Sequence, residues 1–212
     1  MQKNVSPLAE ATAHAMVCGQ MPWRCHAALA AALSVLLFAA AAPAKQAVEV
    51  EGVRFAPTVQ EGATTLLLNN AGLLRYRIVI KAYVAALYLG EDVTPSAVLD
   101  DVPKRLEAEY FWKLAGADFG PVTLEGMRRN VDAATLERLQ PRLERFAALF
   151  VDVRPGDRYA LTYLPGRGTE LSLNGRPMGT IEGADFAAAL FAIWLGPEPL
   201  DGNLKAALLA GQ

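Results

Sequence analysis

From Lys45 onward, the side chains that could do chemistry are arginine, lysine, tyrosine, threonine, asparagine and the carboxylates. Both histidines (His14, His26) and both cysteines (Cys18, Cys25) lie before that point. Nucleophilic catalysis of the Ser–His–Asp or Cys–His kind needs an imidazole to carry the proton, so it is excluded from this part of the chain. Zinc centres built on His or Cys are excluded with it. The acidic pairs Glu91-Asp92 and Asp100-Asp101 are adjacent rather than spaced as a calcium loop, and read as surface charge. Gly166, Gly168 and Gly175 sit at hairpin turns rather than in a phosphate loop. No metal and no cofactor is expected. Arginine remains as a permanent cation with a planar donor fork suited to carboxylates, phenolates and enolates. In an apolar cavity such a cation binds an amphipathic anion or steadies negative charge developing in a reaction. Arg75 is the candidate, since it follows the turn-like Asn69-Asn70-Ala71-Gly72 at the start of a long alternating segment.

That segment, Leu73 to Leu89, carries apolar or aromatic residues at every even position from Leu74 to Tyr88. Its odd positions include Arg75, Arg77, Lys81 and Tyr83. Side chains alternate faces along a strand. The pattern predicts one long strand, broken by a bulge, with its even face on a core and a cationic and phenolic row opposite. Val48 to Phe55 reads as a first strand and Thr65 to Leu68 as a short second one. Leu106, Ala108 and Tyr110 alternate with Arg105, Glu107 and Glu109 in a half-buried strand from Arg105 to Leu114. Helices are expected from Pro121 to Val131 and from Thr135 to Phe150, the second with an apolar stripe and a kink at Pro141. Strands Arg158–Leu164, Thr169–Leu173 and Met178–Ile181 are separated by hairpin turns at residues 165–168 and at Asn174-Gly175. Asp185 and Asp201 are placed to cap two last helices. Runs of strands followed by runs of helices indicate an α+β domain, an antiparallel sheet with helices gathered on one face.

The start of the chain reads differently. Arg24, the apolar run Ala27 to Ala42 and the small residues Ala42-Pro43-Ala44 have the order of a secretory signal peptide. The run is roughly 16 residues, short of the roughly 20 a membrane-spanning helix needs; an uncleaved anchor is the alternative. Residues 1–20 precede the signal as a leader upstream of Met21, residues 21–44 are the signal, and 45–212 form the domain. A periplasmic location is expected. With Lys3, Arg24 and Glu10 set aside, 18 of 20 basic and 21 of 22 acidic side chains belong to the domain. No basic stripe offers itself to nucleic acid.

Three groups of residues resemble one known family. They are Asn70-Ala71-Gly72-Leu73-Leu74-Arg75 with Lys81 to Leu89, Ser172 to Gly175 with Gly179 to Phe186, and Ile193-Trp194-Leu195-Gly196 with Leu204-Lys205. Together they resemble the chalcone isomerase-like family, in particular its exported bacterial branch. The resemblance implies an open-faced β-sandwich, a large antiparallel sheet with helices layered on one face and a site between the two. It also implies that Arg75 holds an ionised phenol or a carboxylate. Asn130 then matches the family's helix asparagine, while Tyr83 stands for a strand threonine, Thr123 for a tyrosine, Gly126 for a lysine and Ile193 for a hydroxyl residue. The ligand-binding set so implied is Arg75, Tyr83, Thr123, Met127, Asn130, Ile193 and Trp194. Arg75 and Tyr83 would be catalytic if the protein is an enzyme. Three functions stay open: a non-catalytic binder of an amphipathic anion such as a fatty acid, an intramolecular lyase of the chalcone isomerase type acting on an enone, and an envelope accessory protein whose core is structural only. The partner expected is a small amphipathic or phenolic ligand, and the chain is expected to be a monomer.

Overall fold

The structure, a computed structural model, describes residues 46–76 and 80–211. The expected leader and signal peptide lie outside the described residues. Two short strands open the domain, β1 (Val48–Val50) and β2 (Val53–Phe55). Glu51 and Gly52 join them with positive φ at both positions, 52° and 80°. Such a turn matches the right-handed twist of the strands it connects. The segment 48–55 is therefore a hairpin rather than one strand.

Seven further strands follow: β3 (Thr58–Glu61), β4 (Thr64–Tyr76), β5 (Ile80–Gly90), β6 (Lys104–Tyr110), β7 (Arg158–Leu164), β8 (Gly168–Leu173) and β9 (Arg176–Ile181). They lie in chain order in one sheet, with every neighbouring pair antiparallel. The helices are α1 (Gly116–Asn130), α2 (Ala133–Ala147), α3 (Ala184–Leu195) and α4 (Gly202–Leu209). No described helix is long and apolar enough to cross a membrane.

Alternation along β5 divides its side chains between two cores. Tyr83, Ala85, Leu87 and Leu89 join the larger core beneath the helices, with Leu106, Ala108, Tyr110, Phe146 and Phe191. Val84, Ala86 and Tyr88 face the other way, onto a smaller core with Phe55, Leu66 and Leu68 under the β1–β2 hairpin. The expected long strand from Leu73 to Leu89 is thus corrected to two antiparallel strands, β4 and β5, with Leu74 opposite Tyr83 and Leu73 opposite Val84. Both faces of β5 are buried: the helices cover the odd-numbered face, which was expected to carry a polar row, and the β1–β2 hairpin covers the even-numbered one.

The turn expected at residues 69–72 is instead mid-strand. A register shift separates Leu68 from Asn70, and the bulged Asn69 Nδ2 donates 2.6 Å to the carbonyl of Leu208 at the end of α4. A Cβ on Gly72 would stand 2.8 Å from Ala207 Cβ and 3.0 Å from Leu204 Cδ1. The glycine lets α4 lie directly on the strand.

Helix α1 begins five residues before Pro121, which falls inside it. Asp132 caps α2, its Oδ1 accepting from Thr135 N at 2.8 Å, and the helix runs on through Pro141. At α3 the capping position is Gly183, φ 106°, while Asp185 lies in the first turn and pairs with Arg142 at 2.6 Å. Asp201 caps α4 as expected, accepting from Leu204 N at 2.7 Å.

Candidate ligand-binding cavity

Between the sheet and α1, α2 and α3 lies a cavity of about 520 Å³, within the usual range of roughly 300–1,000 Å³ for small-molecule sites. Leu74, Ala82 and Tyr83 from the β4–β5 pair and Leu106, Ala108 and Tyr110 from β6 form its floor. Phe119 and Thr123 of α1, Phe146 and Phe150 around the end of α2, and Ile193 and Trp194 of α3 enclose it. Tyr110, Phe119, Phe150 and Tyr159 pack edge to face or stacked, with ring centroids 4.7–6.2 Å apart; such contacts fix aromatic orientation beyond what burial alone does. Ile80, Trp112, Val122 and Leu200 also line the cavity and are among the large apolar residues left exposed, so the mouth has an apolar rim.

Polar groups in the wall are few, and most are engaged. Tyr159 Oη donates to the carbonyl of Val151 at 3.0 Å and accepts from its amide at 2.9 Å. Thr123 Oγ1 donates back to Phe119 O at 2.8 Å, the usual choice of a helical threonine. Trp112 Nε1 donates to Lys81 O at 2.7 Å. Trp194 Nε1 donates to Tyr83 Oη at 2.8 Å. Burial pushes the Tyr83 phenol well above the ordinary tyrosine value, outweighing the opposite effect of the Trp194 hydrogen bond. Tyr110 is raised too, first by burial and then by Tyr83 and Tyr159. Both stay protonated at neutral pH.

Of the sequence-predicted residues, Tyr83, Thr123, Ile193 and Trp194 meet at this cavity. Met127, fully buried, packs in the core beside it without lining it. Asn130 ties the end of α1 to the segment after α3: Nδ2 donates to Gly126 O and Glu198 O, each at 3.0 Å, and Oδ1 accepts from Glu198 N at 3.0 Å. Gly126 lets α1 pass close to α3, since a Cβ there would stand 2.8 Å from Ile193 Cγ2. Arg75 is not in the cavity wall. Its neighbour Leu74 is, while the Arg75 guanidinium lies 3.7 Å from Glu51 in the β1–β2 turn, its side chain 45% exposed. Lys81 donates to the same carboxylate at 2.5 Å. The sequence reading missed Tyr110, Tyr159 and Phe119 as cavity residues, although the alternation Leu106, Ala108, Tyr110 already placed Tyr110 on the inward face.

A seven-stranded antiparallel sheet with a cavity beneath one layer of helices is the open-faced sandwich of the chalcone isomerase fold. The chain belongs to the chalcone isomerase-like family, whose pattern matches residues 47–210. Among solved structures, the fold is similar to the crystal structure of a fatty-acid binding protein of Arabidopsis thaliana, with a TM-score of 0.63 and 15% sequence identity over 77% of this chain and 96% of that one. No curated protein matches the sequence.

Proposed function

We propose that the domain is a non-catalytic, exported binder of a small fatty-acid-like ligand, a long apolar body with a single polar head. The observation that carries this is the cavity of about 520 Å³ walled almost wholly by aliphatic and aromatic side chains and opening through an apolar rim. The similarity of the fold to a fatty-acid binding protein supports the same reading. Catalysis of the lyase type is not favoured, because among the described residues no cation lines the cavity to steady a developing anion. Export is supported by the signal-like order of residues 21–44. Native mass spectrometry of protein purified after expression of the full chain tests both parts. A polypeptide beginning at Lys45 with an added lipid-sized mass, released on denaturation, is the expected result. Empty protein after incubation with medium-chain lipids would refute the binder.

A further inference from the structure

The hydrogen-bond accounting of the cavity wall leaves two groups over. Tyr83 Oη accepts the Trp194 indole N–H, and no described residue accepts the proton of Tyr83 in return. The indole thus occupies a lone pair of the phenol and leaves its O–H directed as a donor. Tyr110, only 7% exposed, makes no hydrogen bond through its hydroxyl to any described residue. The two rings lie side by side, centroids 5.4 Å apart and tilted by 57°. Both residues line the cavity, so the pair presents two phenolic donors to a ligand oxygen there, each worth about one hydrogen bond.

The charge around this pair decides what that oxygen belongs to. The one ionisable carboxylate or base among the lining residues is Asp118, in the first turn of α1 at the edge of the cavity. The arginines next in sequence to floor residues, Arg75 and Arg105, are engaged elsewhere, Arg75 with Glu51 and Arg105 with Glu61 and Glu107. A carboxylate brought to the phenols would therefore lose its hydration, find no described cation, and share the cavity with a like charge. Desolvating an unpaired ion is far more costly than desolvating a carbonyl. We propose that the cavity takes an uncharged carbonyl compound of lipid character, its carbonyl oxygen accepting from Tyr83 and Tyr110. A ketone, an aldehyde, an ester, or a fatty acid in its protonated form has the required chemistry. This rests on the binder reading and specifies the head that the site selects.

The experiment compares three probes of similar apolar length by calorimetry and tryptophan fluorescence, using the purified full-chain product: 2-undecanone, decanoic acid and decane. At pH 8 the ketone is expected to bind at least tenfold more tightly than decanoate. Lowering the pH towards the carboxyl pKa should strengthen decanoic acid binding by about tenfold per pH unit and leave the ketone unchanged, since only the neutral acid is accepted. Tyr110→Phe should weaken the ketone by about fivefold, the effect of one hydrogen bond, with decane unaffected. Tyr83→Phe should do the same, and Tyr110→Phe keeps the test sound if loss of the Trp194 acceptor loosens the fold. Decanoate binding at pH 8 as tightly as the ketone overturns the proposal, most directly if Arg75→Ala or Arg77→Ala then abolishes it. Failure of all three probes, decane included, instead refutes the binder reading and the proposal with it.

Discussion

Replacing Gly126 with alanine should destabilise the domain and deform the cavity wall, although alanine is ordinarily the better helix former. Gly126 lies near the middle of α1 where that helix crosses α3, and an added Cβ would stand 2.8 Å from Ile193 Cγ2, 2.9 Å from Cγ1 and 3.3 Å from Cβ. Ordinary carbon contacts need about 3.5–4.0 Å, so the two helices must part or Ile193 must leave its rotamer. Overpacking of this kind costs about 1–3 kcal/mol, and the intrinsic gain of alanine over glycine returns at most about 1 kcal/mol. The net is a loss of up to about 2 kcal/mol, read as a fall of up to roughly 8 °C in Tm for a domain of this size. Because Ile193 lines the cavity, ligand affinity should fall with it. The decisive measurement is a double-mutant cycle by urea denaturation. With Ile193→Ala the obstructing methyls are gone, and Gly126→Ala added to that variant should become stabilising, reversing its sign. Gly202→Ala, where a Cβ meets nothing within 4 Å, is the control. If Gly126→Ala stabilises the parent protein as it does the Ile193→Ala variant, the close crossing of α1 and α3 is wrong.

Two other predictions concern charges set into the fold. Burial holds fully enclosed Lys104 at about 8, against an ordinary 10.5, despite Asp101 and Asp100 nearby. Its ammonium donates 2.6 Å to Asp100 O and lies 4.8 Å from the Tyr163 ring centre. Above pH 8 the unfolded chain binds a proton the folded chain has released, so stability rises with pH from there towards 10.5, and the cost of the buried charge is present in full below 8. Between pH 7.5 and 9.5, before the tyrosines matter, the urea-derived free energy should rise by about 2 kcal/mol, and Lys104→Met should flatten that rise; an unchanged slope refutes the assignment. On the opposite face, Arg158 donates to Glu107 at 2.9 Å and Glu109 at 2.7 Å and sits 4.7 Å over the Phe55 ring. Arg158→Met should cost about 3 kcal/mol by leaving nearly buried Glu107 with Arg105 alone, and Glu107→Gln added to it should recover part; simple additivity in denaturation would contradict the network.

The sequence made some elements plain and hid others for physical reasons. Strand β8 and the two hairpins around it were legible because Asn174-Gly175 and residues 165–168 carry turn chemistry that the fold uses as such: Asn174 takes φ 50°, Gly175 78° and Gly166 74°. The cap at Asp201 was legible for the same reason. At residues 69–72 identical residue types serve another purpose. Asn69 and Gly72 resemble a turn, yet one satisfies the carbonyl end of α4 and the other makes room for its Ala207 and Leu204 side chains. That purpose depends on a helix more than 130 positions away, which no local pattern reveals. Strand β4 ends at Tyr76 and β5 begins at Ile80, and the sequence between them, residues 77–79, holds neither glycine nor proline. Even-position apolarity in β5 was correctly seen, but the parity of the cavity face was lost because both faces are buried.

That parity bears directly on the head group. In a strand the side-chain period is two, so moving a functional arginine by one position carries it from the core face to the opposite face. Here Leu74 holds the inward place opposite Tyr83, and Arg75 is directed to the hairpin carboxylate of Glu51. The cation expected at Arg75 is thus not at the cavity, where its neighbour Leu74 presents an alkyl side chain instead. Its cross-strand partner is a phenol whose acceptor side is already taken by Trp194. An apolar residue on the floor and a phenol donor beside it act in the same direction. Without a cation the desolvation of a carboxylate goes uncompensated, while the phenol donor is enough for a neutral carbonyl. Restoring the cation should thus reverse the preference: Leu74→Arg is expected to raise decanoate affinity at pH 8 by tenfold or more while weakening 2-undecanone. If decanoate gains nothing, the electrostatic reasoning about this cavity fails at its first step.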